Sequence, residues 1–210
     1  PPSPAELREL AAGAEGILSM LTDAIDRELI DACPDLRAVA NFAVGTDNID
    51  VAYAAERGIA VGNTPGVLTE TTADLALALL LAAARRLPEA WRAVEDGAWG
   101  PWQPLWLTGR DLHGGTVGIV GLGRIGAAVG RRLLGFGCKL LYSGPRPHPE
   151  LADPLGAVYT PFPELLAASD FVTIHCPLND ATRGLFNAEA FGRMKPGAVV
   201  MHPGPVNRGV

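Results

Sequence analysis

Three things are scarce in this sequence, and each scarcity closes off a class of function. Positive charge is short: 17 Lys and Arg against 23 Asp and Glu leave a net charge of −6. Non-specific nucleic-acid binding needs excess Lys and Arg to displace counterions, so no nucleic-acid partner is expected. Cysteine is short as well. Cys33, Cys138 and Cys176 form an odd set with no CxxC pair. That argues against a disulfide framework or a zinc knuckle, and for small buried thiols in a reducing compartment. Long apolar runs are missing: the longest, residues 75–84, has 10 residues, against the ~20 that cross a bilayer. No basic segment followed by an apolar core opens the chain, so no signal peptide is expected. The expectation is a cytoplasmic protein without a membrane partner. An initiator Met is absent too, and the chain stops at Val210 directly after a strand-like run. Both ends read as those of a fragment.

What is present is an ordinary globular balance, 48% apolar and 19% charged, in 210 residues, enough for one large domain or two small ones. Short apolar runs alternate with helical patterns. Strands are expected at residues 16–20, 36–42 and 59–61. Helices are expected from a Thr22 or Asp23 cap to about residue 32, and over residues 50–57 with Gly58 as the stop. A long helix over residues 69–86 is apolar all round in its middle, so it is expected to be buried on most sides, between two domains. A second helix begins at Pro88, and residues 97–110, with Trp99, Trp102 and Trp106, read as an irregular aromatic loop. Beyond it, strands at 116–120, 139–142, 157–160, 171–175 and 198–201 alternate with helices at 124–136 and 162–168 and one capped by Asn187. Such alternation implies parallel sheets with helices on their faces. The fold class expected is α/β: a Rossmann-type doubly wound parallel sheet, plus a partial flavodoxin-like α/β domain.

The chemistry starts at Gly121-Leu122-Gly123-Arg124-Ile125-Gly126. A lone GxGxxG says little. Here it follows the strand run Val117-Gly118-Ile119-Val120 and opens a helix, the context a dinucleotide site requires. Gly121 permits the tight turn, Gly123 lets the backbone approach a diphosphate, and Gly126 lets the helix pack on the strand. The bland reading is a glycine-rich turn with no ligand. About twenty residues on, a carboxylate normally accepts the ribose hydroxyls. The strand here ends Tyr142-Ser143-Gly144-Pro145-Arg146, and no Asp or Glu occurs between Gly126 and Glu150. A hydroxyl and an arginine suit a 2′-phosphate, which favours NADP with NAD as the alternative; Arg146 as a plain solvated charge is the competing view. A third feature is residues 41–50, a strand-to-helix turn. Backbone N–H groups near Gly45 can hold a carboxylate there, or the turn is only a turn.

Together these segments resemble the D-2-hydroxyacid dehydrogenases, most closely their glyoxylate/hydroxypyruvate reductase branch. The likeness runs from residue 1 to about residue 200. It rests on Val44-Gly45-Thr46-Asp47-Asn48-Ile49-Asp50, Asn63-Thr64-Pro65-Gly66-Val67-Leu68-Thr69, Pro104-Leu105-Trp106, the glycine loop, Tyr142-Ser143-Gly144, Cys176-Pro177-Leu178 with Thr182, and Met194-Lys195-Pro196-Gly197-Ala198. The resemblance implies two α/β domains, here residues 1–70 for substrate and 71–210 for NAD(P), with the active site in the cleft. It implies that Val44 and Gly45 bind the substrate carboxylate, and that Gly121, Gly123, Arg124, Ile125 and Gly126 hold the cofactor diphosphate. Ser143 and Arg146 meet the ribose, and Cys176, Pro177 and Thr182 lie on its other side. The implied reaction is hydride transfer to a small 2-oxoacid, with an arginine orienting the substrate and a Glu-tuned histidine protonating the alkoxide. Trp106 resembles a family tryptophan at a subunit interface, which implies a homodimer; plain loop packing is the alternative.

The likeness breaks at the end. The family arginine sits in Asn-x-x-Arg-Gly after the 194–198 segment, where this chain has Pro205. Arg208 fills the role only with three residues inserted. Residues 201–210 instead resemble a His-Pro-Gly-Pro-x-Asn-Arg-Gly stretch of aspartate carbamoyltransferases, though the chain lacks that enzyme's phosphate site. The family Glu and His are expected beyond residue 210. His113 and His148 read as solvated, His175 as a satisfied core histidine, and His202 falls in the divergent tail. The piece is therefore expected to turn over poorly alone. A non-catalytic dinucleotide-binding module is the alternative function.

Overall fold

Ser3 begins the first helix by a reciprocal cap. Its hydroxyl accepts the Glu6 N–H at 3.3 Å, and Glu6 Oε2 accepts the Ser3 N–H at 2.8 Å, satisfying two donors that a helix start leaves free. The chain is described by a computed structural model covering residues 2–204. It divides into two compact units, Pro1–Leu68 and Thr69–Val210.

The first unit runs α1 (Pro4–Ala11), β1 (Gly16–Ser19), α2 (Arg27–Ala32), β2 (Ala38–Asn41), α3 (Val51–Glu56) and β3 (Ala60–Gly62). Its three strands are parallel in the order β1-β2-β3, with Ile17, Val39 and Val61 in register. Ile25, Leu29, Ile30, Val39 and Ala54 form its core. The start of α2 differs from expectation. Asp23 does not cap it; its carboxylate accepts the Met20 N–H in a turn at 2.7 Å. Ile25 then bridges to Ile49, and Asp26 takes the cap from the Leu29 N–H at 2.9 Å. A tertiary bridge has displaced the helix start by a few residues. α3 ends as expected, with Gly58 at φ +72°.

The second unit opens with α4 (Thr69–Ala84) and α5 (Leu87–Glu95), followed by the irregular stretch to residue 115. Only one side of α4 is covered. Ala73, Ala76, Leu80 and Ala84 are buried, whereas Leu75 and Leu79 are 48% and 40% exposed. That corrects the expectation of burial on most sides: apolarity permits burial but does not supply a neighbour. Then come β4 (Thr116–Val120), α6 (Arg124–Leu134), β5 (Lys139–Ser143), α7 (Pro149–Ala152), β6 (Val158–Tyr159), α8 (Phe162–Ala168), β7 (Phe171–Ile174), α9 (Ala188–Arg193) and β8 (Val199–Met201). The sheet is parallel in the order β6-β5-β4-β7-β8. One face packs Val117, Ile119 and Leu140 against α4 and α6. The other packs Val120, Val172 and Ile174 against Leu165 and Leu166 of α8 and Ala190 of α9. This is a doubly wound α/β sheet. Its strand order reverses between β4 and β7, where such sheets bind ligands at the strand C-termini.

Candidate functional site

The reversal point carries the glycine loop. Gly121 takes φ +95°, which glycine alone adopts without strain. A Cβ there would lie 2.6 Å from the Cys176 amide nitrogen, so the missing side chain lets the loop after β4 close onto the exit of β7. A Cβ on Gly126 would lie 2.4 Å from the Gly121 carbonyl oxygen, so α6 seats its first turn directly on the loop. Gly123 is different: a Cβ there would meet open space. It is the N-cap of α6, and no side chain caps that end. The first-turn N–H groups and the positive end of an 11-residue helix are thus left facing an open cradle. Gly123 and Arg124 are exposed and Ile125 half-buried. Such a helix start fits a diphosphate.

The exit of β5 lies beside this cradle, since the Gly121 N–H donates to the Ser143 carbonyl at 2.8 Å. Ser143 is buried and Arg146 exposed. The Tyr159 hydroxyl donates to the Gly144 carbonyl at 3.0 Å, and the His148 N–H donates to the Tyr142 hydroxyl at 3.0 Å. The Glu150 carboxyl is held below its ordinary range, first by its own backbone N–H and then by His148, with Arg146 adding attraction.

At the exit of β7, burial raises the Cys176 thiol, and Pro177 is exposed. Thr182 binds within its own turn. Its hydroxyl donates to the Pro177 carbonyl at 2.6 Å and accepts the Asn179 N–H at 2.9 Å. His175 is only half satisfied, contrary to the expectation of a satisfied core histidine. Its Nε2 lies 2.7 Å from the Thr173 hydroxyl, but its buried Nδ1 has no partner among the described residues. Burial, followed by the charge of His202, pushes its pKa down to about 4.

The first unit offers a second set of donors. The Asn63 amide holds the Val44 carbonyl at 2.8 Å, the Asn41 amide holds the Gly45 carbonyl at 2.8 Å, and the Thr64 N–H holds the Ala43 carbonyl at 2.9 Å. Asn41 is itself fixed by Ser19 and Asn48. With the carbonyls taken, the N–H groups of Val44 and Gly45 find no acceptor among the described residues. A loop that ties down its acceptors and frees its donors suits a carboxylate. A Cβ on Gly45 would lie 2.9 Å from Asp47 Oδ1, the end of an exposed side chain that can swing aside.

Arg208 lies outside the described residues. His113 is exposed, His148 sits 3.1 Å from Glu150, and His202 shares its Nδ1 with Gly204. Among the described residues no cluster of His, Cys, Asp and Glu could hold a metal, and no helix is long and apolar enough to cross a membrane. Sequence reasoning gave no role to Asn41, Asn63, Tyr142 and Tyr159, whose side chains bond the backbone of these loops. The one signal for Asn41 was a polar residue closing an apolar strand.

Residues 77–205 match the family model described as D-isomer specific 2-hydroxyacid dehydrogenase, NAD binding domain. The chain is 49% identical over 203 residues to glyoxylate reductase of Korarchaeum cryptofilum, covering 96% of this chain and 61% of that one. It is 47% identical to human glyoxylate reductase/hydroxypyruvate reductase, covering 96% and 62%. A solved protein of Thermus thermophilus superposes with a TM-score of 0.86 at 45% identity, covering 93% and 61%. The chain thus spans about three fifths of the length of the curated relatives it matches. A complete glycine loop at a strand-order reversal, within a matched NAD-binding domain, means that the chain belongs to the D-isomer specific 2-hydroxyacid dehydrogenases.

Proposed function

We propose that this chain forms the cofactor-binding unit and the carboxylate-binding loop of a reductase of glyoxylate, hydroxypyruvate and similar small 2-oxoacids, and that it prefers NADPH. The observation that carries the reading is the open, uncapped start of α6 at Gly123, beside a β5 exit that carries Ser143 and an exposed Arg146 and no carboxylate of its own. Gly121, Gly123, Arg124, Ile125 and Gly126 surround the diphosphate. Ser143 and Arg146 take the 2′-phosphate by charge-assisted hydrogen bonds. Cys176 and Pro177 line the opposite side, and Thr182 keeps that turn in shape. When bound, the nicotinamide supplies a hydride to the carbonyl carbon of the substrate. Val44 and Gly45 orient the substrate by its carboxylate, so that the carbonyl is presented in one pose. Arg208 remains the candidate for polarising that carbonyl.

Several further features belong to the same reading. Pro1–Leu68 is the substrate unit and Thr69–Val210 the nucleotide unit. The Trp99 and Trp106 rings meet edge to face at 5.1 Å within the chain, and the exposure of Trp102 and Leu105, 85% and 83%, supports a homodimer contact at this loop. The three cysteines are free thiols, in keeping with a cytoplasmic location.

Titrating the purified chain with NADPH and NADH, followed by nucleotide fluorescence, tests the reading. NADPH is expected to bind ~10-fold tighter, the worth of one hydrogen bond to a charged group. Tighter NADH binding would overturn the NADPH preference, and no binding of either nucleotide would overturn the whole reading.

A further inference from the structure

Two tyrosines frame the loop that leaves β5. Tyr142 is the fourth residue of β5 and is buried; its hydroxyl accepts the His148 N–H at 3.0 Å. Tyr159 ends β6, and its hydroxyl donates to the Gly144 carbonyl at 3.0 Å. The rings meet edge to face, with centroids 5.3 Å apart. One phenol therefore holds the start of residues 144–148, and the other holds the end. Arg146 is the midpoint. The start is tied a second time, because the Ser143 carbonyl accepts the Gly121 N–H. With the carbonyls of Ser143 and Gly144 both occupied, the polar groups of this stretch without a partner among the described residues include the Ser143 hydroxyl and the exposed Arg146 guanidinium, and the guanidinium is purely a donor. The clamp also places His148, whose Nδ1 lies 3.1 Å from Glu150 Oε1. That contact gives the Glu150 carboxylate a partner besides the attraction of Arg146.

We infer that Tyr159 and Tyr142 are positioning residues for cofactor selectivity. They hold residues 144–148 in the form in which Ser143 and Arg146 meet the 2′-phosphate, and neither ring touches the cofactor. This rests on the NADPH preference proposed above. A five-residue loop freed at one end samples more backbone conformations, and ordering it again on binding costs free energy. The cost falls on the nucleotide that uses the loop. NADH, which has no 2′-phosphate, escapes most of it.

The test is Tyr159→Phe in the 210-residue chain, which keeps the ring contact and deletes one hydroxyl. The Kd for NADPH is expected to rise about five-fold, the equivalent of one ~1 kcal/mol hydrogen bond. The Kd for NADH stays within about two-fold, as for a neutral surface change. Tyr142→Phe should act in the same direction from the other end. Arg146→Gln separates the two ideas. If it erases the NADPH preference while Tyr159→Phe leaves that preference intact, the clamp is overturned and the NADPH reading stands. Equal weakening of both nucleotides by Tyr159→Phe also overturns the selectivity role, since simple loosening of the fold would produce it. If the unaltered chain shows no NADPH preference, that reading fails first and the clamp falls with it.

Discussion

A Cβ on Gly121 and a Cβ on Gly123 would meet opposite surroundings, although the residues are two apart. At Gly121 it would strike the Cys176 backbone at 2.6 and 2.8 Å, from a residue at φ +95°. Gly121→Ala should therefore cost roughly 2–4 kcal/mol of stability, combining left-handed strain with overpacking. At Gly123 it would enter open space, and the residue has φ −96°, which alanine adopts freely. Gly123→Ala should change stability by less than ~0.5 kcal/mol and weaken NADPH at least ~10-fold, by filling the place where the diphosphate approaches. Urea melts and nucleotide titrations on both variants would check the pair, and a similar profile for the two would refute the assignment of roles. His175 gives a second contrast. Its folded pKa of about 4 lies below the 6.5 of a free imidazole, so between those values the unfolded chain takes up a proton that the folded chain refuses. This contribution to stability is complete above about pH 6.5 and is lost as pH falls to 4, by about 3 kcal/mol at most. His175→Gln should flatten the decline between about pH 7 and pH 4.5, measured as urea midpoints; parallel declines would remove His175 as the cause. Carboxylates held low in the fold, such as Asp170 under its bonds from Thr116 and Lys195, add their loss at lower pH.

At the scale of elements, the central strands were the easiest to read and the first unit was the hardest. β4 is buried on both faces, and such strands appear as continuous apolar runs; its expected bounds, residues 116–120, are those of the structure. α8 likewise matches over residues 162–168. The start of α2 slipped because Asp23 and Asp26 are equally good caps in sequence, and only the Ile25 to Ile49 bridge chooses between them. α1 was overlooked although Ser3 and Glu6 carry a capping-box spacing. One residue shows how an element pair depends on a missing side chain. A Cβ on Gly118, in β4, would lie 2.5 Å from both Leu165 Cδ2 and Ser169 Oγ, so the bare strand lets α8 approach. Gly118→Ala should cost ~1–3 kcal/mol, because α8 must shift and Leu165 and Ser169 are fully buried. A thermal melt unchanged from that of the parent chain would contradict this account of the packing.

For the molecule as a whole, the glycine loop could be read because its backbone requirements force residue types. The tyrosine clamp could not, because a phenol bonding a carbonyl fifteen residues away leaves no local pattern. The loop at Val44 and Gly45, the candidate carboxylate site, stood between these cases: its glycine was visible, but the part that Asn41 and Asn63 play in tying down its acceptors was not. The two units also differ in what should hold them folded. Each has its own core, one around Ile25, Leu29 and Ile30 and the other around the five-stranded sheet. Pro1–Leu68 is a small unit with three short strands, and small units bury too little surface to be more than marginal. All four tryptophans, Trp91, Trp99, Trp102 and Trp106, belong to the second unit. Urea should therefore remove part of the far-ultraviolet circular dichroism before tryptophan fluorescence changes. NADPH at about 100 times its Kd should stabilise only the later transition, by ~2.7 kcal/mol, because only the unit that binds it gains. Coincident transitions by both probes, moved together by NADPH, would mean that the units fold as one. Their separation, with the ligand acting on the tryptophan signal alone, would place the nucleotide on the unit that carries Gly121, Gly123 and Gly126.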